Sequence, residues 1–177
     1  VGYDLSAFVA REGTFVQYRS LSEYVTVAPL NQGFELILYD DYLERGLKLE
    51  NTQISEDHRD LWISQPILTW VSRLSYQTPI AFIRADFFGG NGMQSAALWQ
   101  NGNLVFKPPT NGVMMGAFYG HLKSPEAPIN SVLRRLGVKT APSQDEFEAI
   151  GLERHRHNED WFAAYTEFTS RDYQPFD

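Results

Sequence analysis

The chain predicts an α+β fold, an antiparallel sheet with helices packed mainly on one face. Three observations carry this. Residues 80–107 hold three β-rich runs in a row, joined by glycine-rich turns. Apolar stripes at helical spacing flank that block, near residues 64–75 and 128–137. Strands and helices come in runs instead of alternating, which argues against a parallel doubly wound sheet. The length of 177 residues fits a single domain able to bury its own core.

Taken in order, Tyr3 to Ala10 is an apolar, β-prone opening strand that stops at Arg11-Glu12-Gly13. Tyr24–Leu30 and Phe34–Tyr39 form a hairpin across Asn31-Gln32-Gly33, with Gly33 supplying positive φ. Asp40 or Asp41 caps a short helix, Tyr42 to Arg45, that ends at Gly46. Residues 48–60 are polar and irregular, a surface loop or linker.

Ile67, Trp70, Val71 and Leu74 then fall at i, i+3, i+4 and i+7, with Ser64 as N-cap and Pro66 in the first turn. Thr78-Pro79 closes this helix. In Ile80–Phe88, residues 81, 83, 85 and 87 share one face of a strand and Arg84, Asp86 and Phe88 the other. Gly89-Gly90-Asn91-Gly92 turns the chain, Met93–Gln100 returns, and Asn101-Gly102 is the sequence of a type I′ turn into Asn103–Lys107. Residues 108–125 read as a long loop. Pro128 opens a helix whose stripe is Ile129, Val132, Leu133 and Leu136, closed by Gly137. Ser143 to Glu146 reads as a capping box ahead of Phe147 and Ile150. Glu159–Phe168 forms a last helix, and the tail from 169 is expected to fray.

Composition narrows the function classes. With no cysteine, a disulfide framework, a thiolate metal site and a cysteine nucleophile are excluded. No apolar run reaches the roughly 20 residues that span a bilayer, and Val1–Ala10 lacks the basic-then-apolar order of a secretory signal, so a cytoplasmic protein without membrane contact is expected. The net charge of −7, from 22 acidic against 15 basic residues, repels phosphate backbones and attracts basic proteins. A protein partner is therefore expected, and nucleic acid is not.

No stretch spells out a reaction. No serine lies in a G-x-S-x-G elbow, and no P-loop, HExxH or EF-hand pattern is present. The candidate surface residues are Arg84, Asp86, Gly89, Gly90, Gly92 and Gln94, then His155, His157 and Trp161. The glycines permit a wide turn or close backbone approach to a ligand. Arg84 and Asp86 are two apart on a strand, either a salt bridge or part of a polar cluster that Gln94 faces. His155 and His157 would chelate a metal only in extended backbone, with Glu159 or Asp160 adding oxygen; the plainer reading has Arg154 and Arg156 paired with acids and Trp161 anchored in the core. His58 and His121 stand alone. No cofactor and no metal are expected.

The run Asp86-Phe87-Phe88-Gly89-Gly90-Asn91-Gly92-Met93-Gln94, followed by small residues, Trp99 and Asn101-Gly102, resembles a family of uncharacterised bacterial proteins. Ile129-Asn130 through Val138, then Asp145-Glu146-Phe147, Gly151-Leu152 and Arg154 to Trp161, are similar to its later segments. The resemblance covers residues 79 to 161 and carries no known activity. It implies a bacterial, intracellular protein, and that the glycine loop and the Arg154–Trp161 segment belong to one surface. The functional expectation is a non-catalytic domain, of immunity or regulatory type, that binds a basic protein. The alternative is an enzyme or small-ligand protein using Asp86, the Gly89–Gly92 loop and Gln94.

Overall fold

Strand Ile80–Phe88 is central because both of its faces are apolar over its first half, so it needs cover on two sides. A computed structural model describes residues 2–88, 91–109, 111–113 and 126–166. Its strands are β1 (Tyr3–Arg11), β2 (Val27–Pro29), β3 (Phe34–Leu38), β4 (Ile80–Phe88), β5 (Asn91–Gln100), β6 (Asn103–Phe106) and β7 (Asn111–Val113). The helices are α1 (Asp41–Gly46), α2 (Gln65–Leu74), α3 (Pro128–Leu136), α4 (Glu146–Ala149) and α5 (Asn158–Tyr165). The strands form one antiparallel sheet ordered β2-β3-β1-β4-β5-β6, with β7 also on β5. This is the α+β class that the sequence predicts.

The meander holds as expected. Ile80 to Phe88 pairs with Trp99 back to Asn91, and Asn101 and Gly102 have φ of 52° and 80°, both positive as a type I′ turn requires. The β2–β3 hairpin is present too, with Gln32 and Gly33 both left-handed. β7 is an addition to the expected loop at 108–125. β6 pairs only with the C-terminal end of β5, so β7 takes the open edge at Gly92–Gln94. Residues 110 and 114–125, with His121 among them, lie outside the described residues, as do Phe168 and the tail from 169.

Leu5, Ala7, Ile83, Ala85 and Phe87 face a core built with α3, α4 and α5, through Ile129, Val132, Leu133, Phe147, Trp161 and Phe162. Phe8, Phe82, Ala97 and Trp99 face a second core closed by α2, through Ile67, Leu68, Val71 and Leu74. Three helices thus gather on one face, and α2 covers part of the other. Each fully buried Phe or Leu contributes about 1.5–3 kcal/mol of apolar transfer.

Two expected caps are used differently. Ser64 stands at the N-cap of α2, but its hydroxyl donates to Glu44 at 2.6 Å instead of holding the helix. A buried carboxyl is the stronger acceptor, and Pro66 has already removed one unpaired N–H from the first turn. Before α4 the cap is Asp145, which accepts from Glu148 N at 2.8 Å, while Ser143 sits at φ 68° in the preceding turn. The cap falls two residues after Ser143 because Asp145 is an equally good capping residue and lies closer to the buried Phe147.

Candidate functional site

Pairing across β1, β4 and β5 sorts side chains into rows. On the α2 side the rows are Phe8–Phe82–Ala97, Ser6–Arg84–Ser95 and Asp4–Asp86–Met93, followed by Phe88 at the end of β4. The first row lies under α2. Beyond the helix the strand rises into solvent: the side chains of Arg84 and Asp86 are 24% and 52% exposed, and Phe88 is 86% exposed. Trp62 joins this strip from the turn before α2. It is half exposed, and Arg84 Cζ lies 5.8 Å from its ring centroid. Its φ of 55° is uncommon for a bulky residue, a conformation that costs about 1–3 kcal/mol and recurs at functional surfaces.

The polar groups of the strip are poorly matched to one another. Asp4 and Asp86 are directly opposed across β1 and β4, a like-charge arrangement that destabilises a sheet. Arg84 approaches Asp86 only to 3.9 Å, an ion contact too long for a hydrogen bond. Arg84 Nε and the fully buried Ser95 Oγ have no hydrogen-bond partner.

Gln94 is not part of this strip. It pairs with Ala85, so it faces the α3 side, where it is buried and its Oε1 accepts from Ile129 N at 3.4 Å. The expectation that it faces Arg84 and Asp86 is overturned by register: residues opposite odd-numbered β4 positions turn inward. The proposed Asp86–Gln94 constellation is thereby split by the sheet. Gly92 is opposite Phe87, and a Cβ there would fall 2.2 Å from Asp86 O and 2.3 Å from the Phe87 ring. Tight packing against β4 explains that glycine. Gly89 and Gly90 lie outside the described residues.

His155 and His157 both occupy extended backbone, the geometry that chelation would need. The His155 ring instead packs edge-on to Trp161 at 4.8 Å and Tyr165 at 6.1 Å. Among the described residues no group of three potential ligands is placed to hold a metal. Trp161 is fully buried and its Nε1 donates to His155 O, as an anchor should. The expected pairing of Arg154 with acids is replaced by hydrogen bonds to the carbonyls of Pro29, Ile150 and Gly151 and to Tyr165 Oη. Where a 3₁₀ turn leaves carbonyls unpaired, a guanidinium fork reaches several of them at once. Arg156 lies over the Tyr3 ring, and its carbonyl accepts from Asp4 N. Segment 155–157 therefore runs beside the start of β1, whose Tyr3 pairs with Phe87 at the end of β4.

One polar cluster was missed by sequence reasoning. Glu44 Oε1 accepts from Tyr39 Oη at 3.1 Å and from Ser64 Oγ at 2.6 Å, while Tyr39 Oη accepts from Ser64 N at 3.2 Å. Burial raises the Glu44 carboxyl above its ordinary range, against the lowering effect of both hydroxyls. Burial, followed by the Glu44 charge, raises the Tyr39 phenol too. Ser64 is sealed from solvent, so this trio serves as a buttress joining β3, α1 and α2, out of a substrate's reach. Nothing in the spacing of residues 39, 44 and 64 signals it.

Hollows among the described residues lie elsewhere. One of about 450 Å³ is lined by Arg134, Ser143, Asp145 and Glu148, and one of about 410 Å³ by Asp57, His58, Thr69 and Arg73. A third, of about 410 Å³, is lined by Arg19, Glu23, Val25 and Tyr165. None of the three is lined by Arg84, Asp86 or Phe88. Among the described residues, no helix is long and apolar enough to cross a membrane. No protein-family model, curated protein or solved structure matches this chain.

Proposed function

We propose that this chain is a non-catalytic binding domain that recognises a basic protein, in a neutralising (immunity-type) or regulatory role, through the strip from Trp62 to Phe88. The observation that supports this best is the pair of exposed aromatics at the ends of an acidic strip. Trp62 lies beside Arg84 at one end and Phe88 closes the other, four residues along β4, with Asp86 and Asp4 between. At about 3.4 Å per strand residue, that spans roughly 14 Å, well within a standard interface. Exposed aromatic anchors carry binding energy, while acids and the net charge of −7 steer a basic partner in. The buried Tyr39–Glu44–Ser64 cluster and the splitting of Asp86 from Gln94 both favour binding over catalysis.

The test is capture from a lysate of the source cells on immobilised protein, comparing the native chain with Phe88→Ala and Trp62→Ala. A discrete basic protein is expected at low salt, released as salt rises, with at least about 30-fold weaker binding for an anchor variant, the loss of a hot spot of about 2 kcal/mol. Inhibition of the captured protein's activity would identify the neutralising role. Capture indifferent to both substitutions, or no basic protein retained, overturns the reading.

A further inference from the structure

We infer that the Asp4–Asp86 pair is a seat for one guanidinium or ammonium group of the partner, and that Arg84 holds that seat in the free protein. The inference rests on the binding role proposed for this strip and adds the chemistry of its occupant. Asp4 and Asp86 are directly paired across β1 and β4, so both side chains leave the sheet on the same face. Among the described residues neither accepts a hydrogen bond, and the cation nearest Asp86 is Arg84, at 3.9 Å. With Arg84 counted, the pair keeps one net negative charge, which one further cation neutralises. A cross-strand pair of like charges is maintained against its own repulsion, and a cation between them removes that cost.

Arg84 is held as a substitute would be. Its guanidinium makes no hydrogen bond among the described residues, and its Nε is buried without a partner. Directly across on β5, the fully buried Ser95 also has an unpartnered Oγ on this face. A donor and an acceptor adjacent in one row, both unsatisfied, give Arg84 an alternative partner within the sheet once it leaves Asp86. Trp62 at 5.8 Å keeps the guanidinium near the strip in either position through its ring face. The partner's cation then takes over Asp86 and Asp4, between the Trp62 and Phe88 rings.

The experiment is titration of the full chain with N-acetyl-arginine amide and N-acetyl-lysine amide, read by the backbone amide resonances of residues 4, 84 and 86; N-acetyl-glutamate amide is the control. Saturable shifts are expected with both cations, none with the control, and a dissociation constant about tenfold larger in Asp86→Asn. Arg84→Met keeps the apolar stem beneath Trp62 and removes the resident charge. It should bind several-fold more tightly, because an occupied site weakens apparent affinity by the fraction of molecules in which it is open. Arg84→Lys, which retains a competing cation, should bind like the native chain, and thermal melts confirm folding of each variant. No saturable shift, or Arg84→Met binding no more tightly than native, overturns the inference. If that happens while partner capture still depends on Phe88 and Trp62, the occupant is wrong and the binding role stands. If capture also fails, both fall.

Discussion

Replacing Ser64 by alanine should destabilise the protein more at pH 8 than at pH 4. In the native chain Ser64 Oγ donates at 2.6 Å to the buried Glu44 carboxyl, and Tyr39 Oη donates at 3.1 Å. While Glu44 is protonated, the lost bond is between neutral groups and costs about 1 kcal/mol. Once Glu44 ionises, the lost bond is charge-assisted and costs about 1.5–3 kcal/mol. For a domain of this size, 1 kcal/mol shifts Tm by about 2–4 °C, so Ser64→Ala should melt about 2–4 °C low in acid and about 3–12 °C low once Glu44 is ionised, toward pH 8. The sign follows from linkage: the Ser64 hydroxyl favours the ionised carboxyl and lowers its pKa against the larger raising by burial, so its removal costs more once Glu44 is ionised. Burial still leaves the folded-state pKa of Glu44 raised, so the folded protein holds this proton more tightly than the unfolded chain. That stabilising contribution is complete below the ordinary glutamate range and is lost as pH rises through the raised folded value. Glu44→Gln keeps an acceptor oxygen without a charge, and its melting temperature should lose that component of the pH slope. The assay is thermal unfolding by circular dichroism from pH 4 to 8. Equal losses for Ser64→Ala at both ends, or a Glu44→Gln slope identical to the native one, would refute the reasoning.

Trp161→Ala should cost about 3–5 kcal/mol in denaturant unfolding, because it empties a fully buried site and removes a partner from the His155 and Tyr165 rings. Gly102→Ala should cost about 1–2 kcal/mol, set by its φ of 80°. The Tyr76 ring that the new Cβ would meet is 70% exposed and can swing aside, so a loss well above that range would show that the ring is held.

The polar residues that stand out between 130 and 161 are fasteners. Asn130 Oδ1 accepts from Phe147 N and ties α3 to α4, and Arg134 pairs with Glu146 at 2.6 Å. Asn158 accepts from Ser6 N and donates to Tyr39 O, closing the gap where β1 and β3 part. Their side chains carry the same groups that a binding site would use, so residue type alone cannot separate the two roles. What separates them is whether each group is satisfied within the fold, and in the strip around Arg84 and Asp86 it is not.

Local signals decided the elements. Alternation along Ile80–Phe88, the Asn101-Gly102 turn, the stripe of α2 and the stop at Gly137 each depend on neighbours within a few residues, and they survive folding unchanged. The same alternation put Arg84, Asp86 and Phe88 on one face before any partner strand was known. Only the tertiary structure decided which residues of other elements share that face. Strand register turned Gln94 inward and set Asp4 opposite Asp86, and an irregular turn delivered Trp62 from more than twenty residues upstream. Register and loop docking follow from the packing of whole elements, and a one-residue slip in either strand would have reversed the outcome.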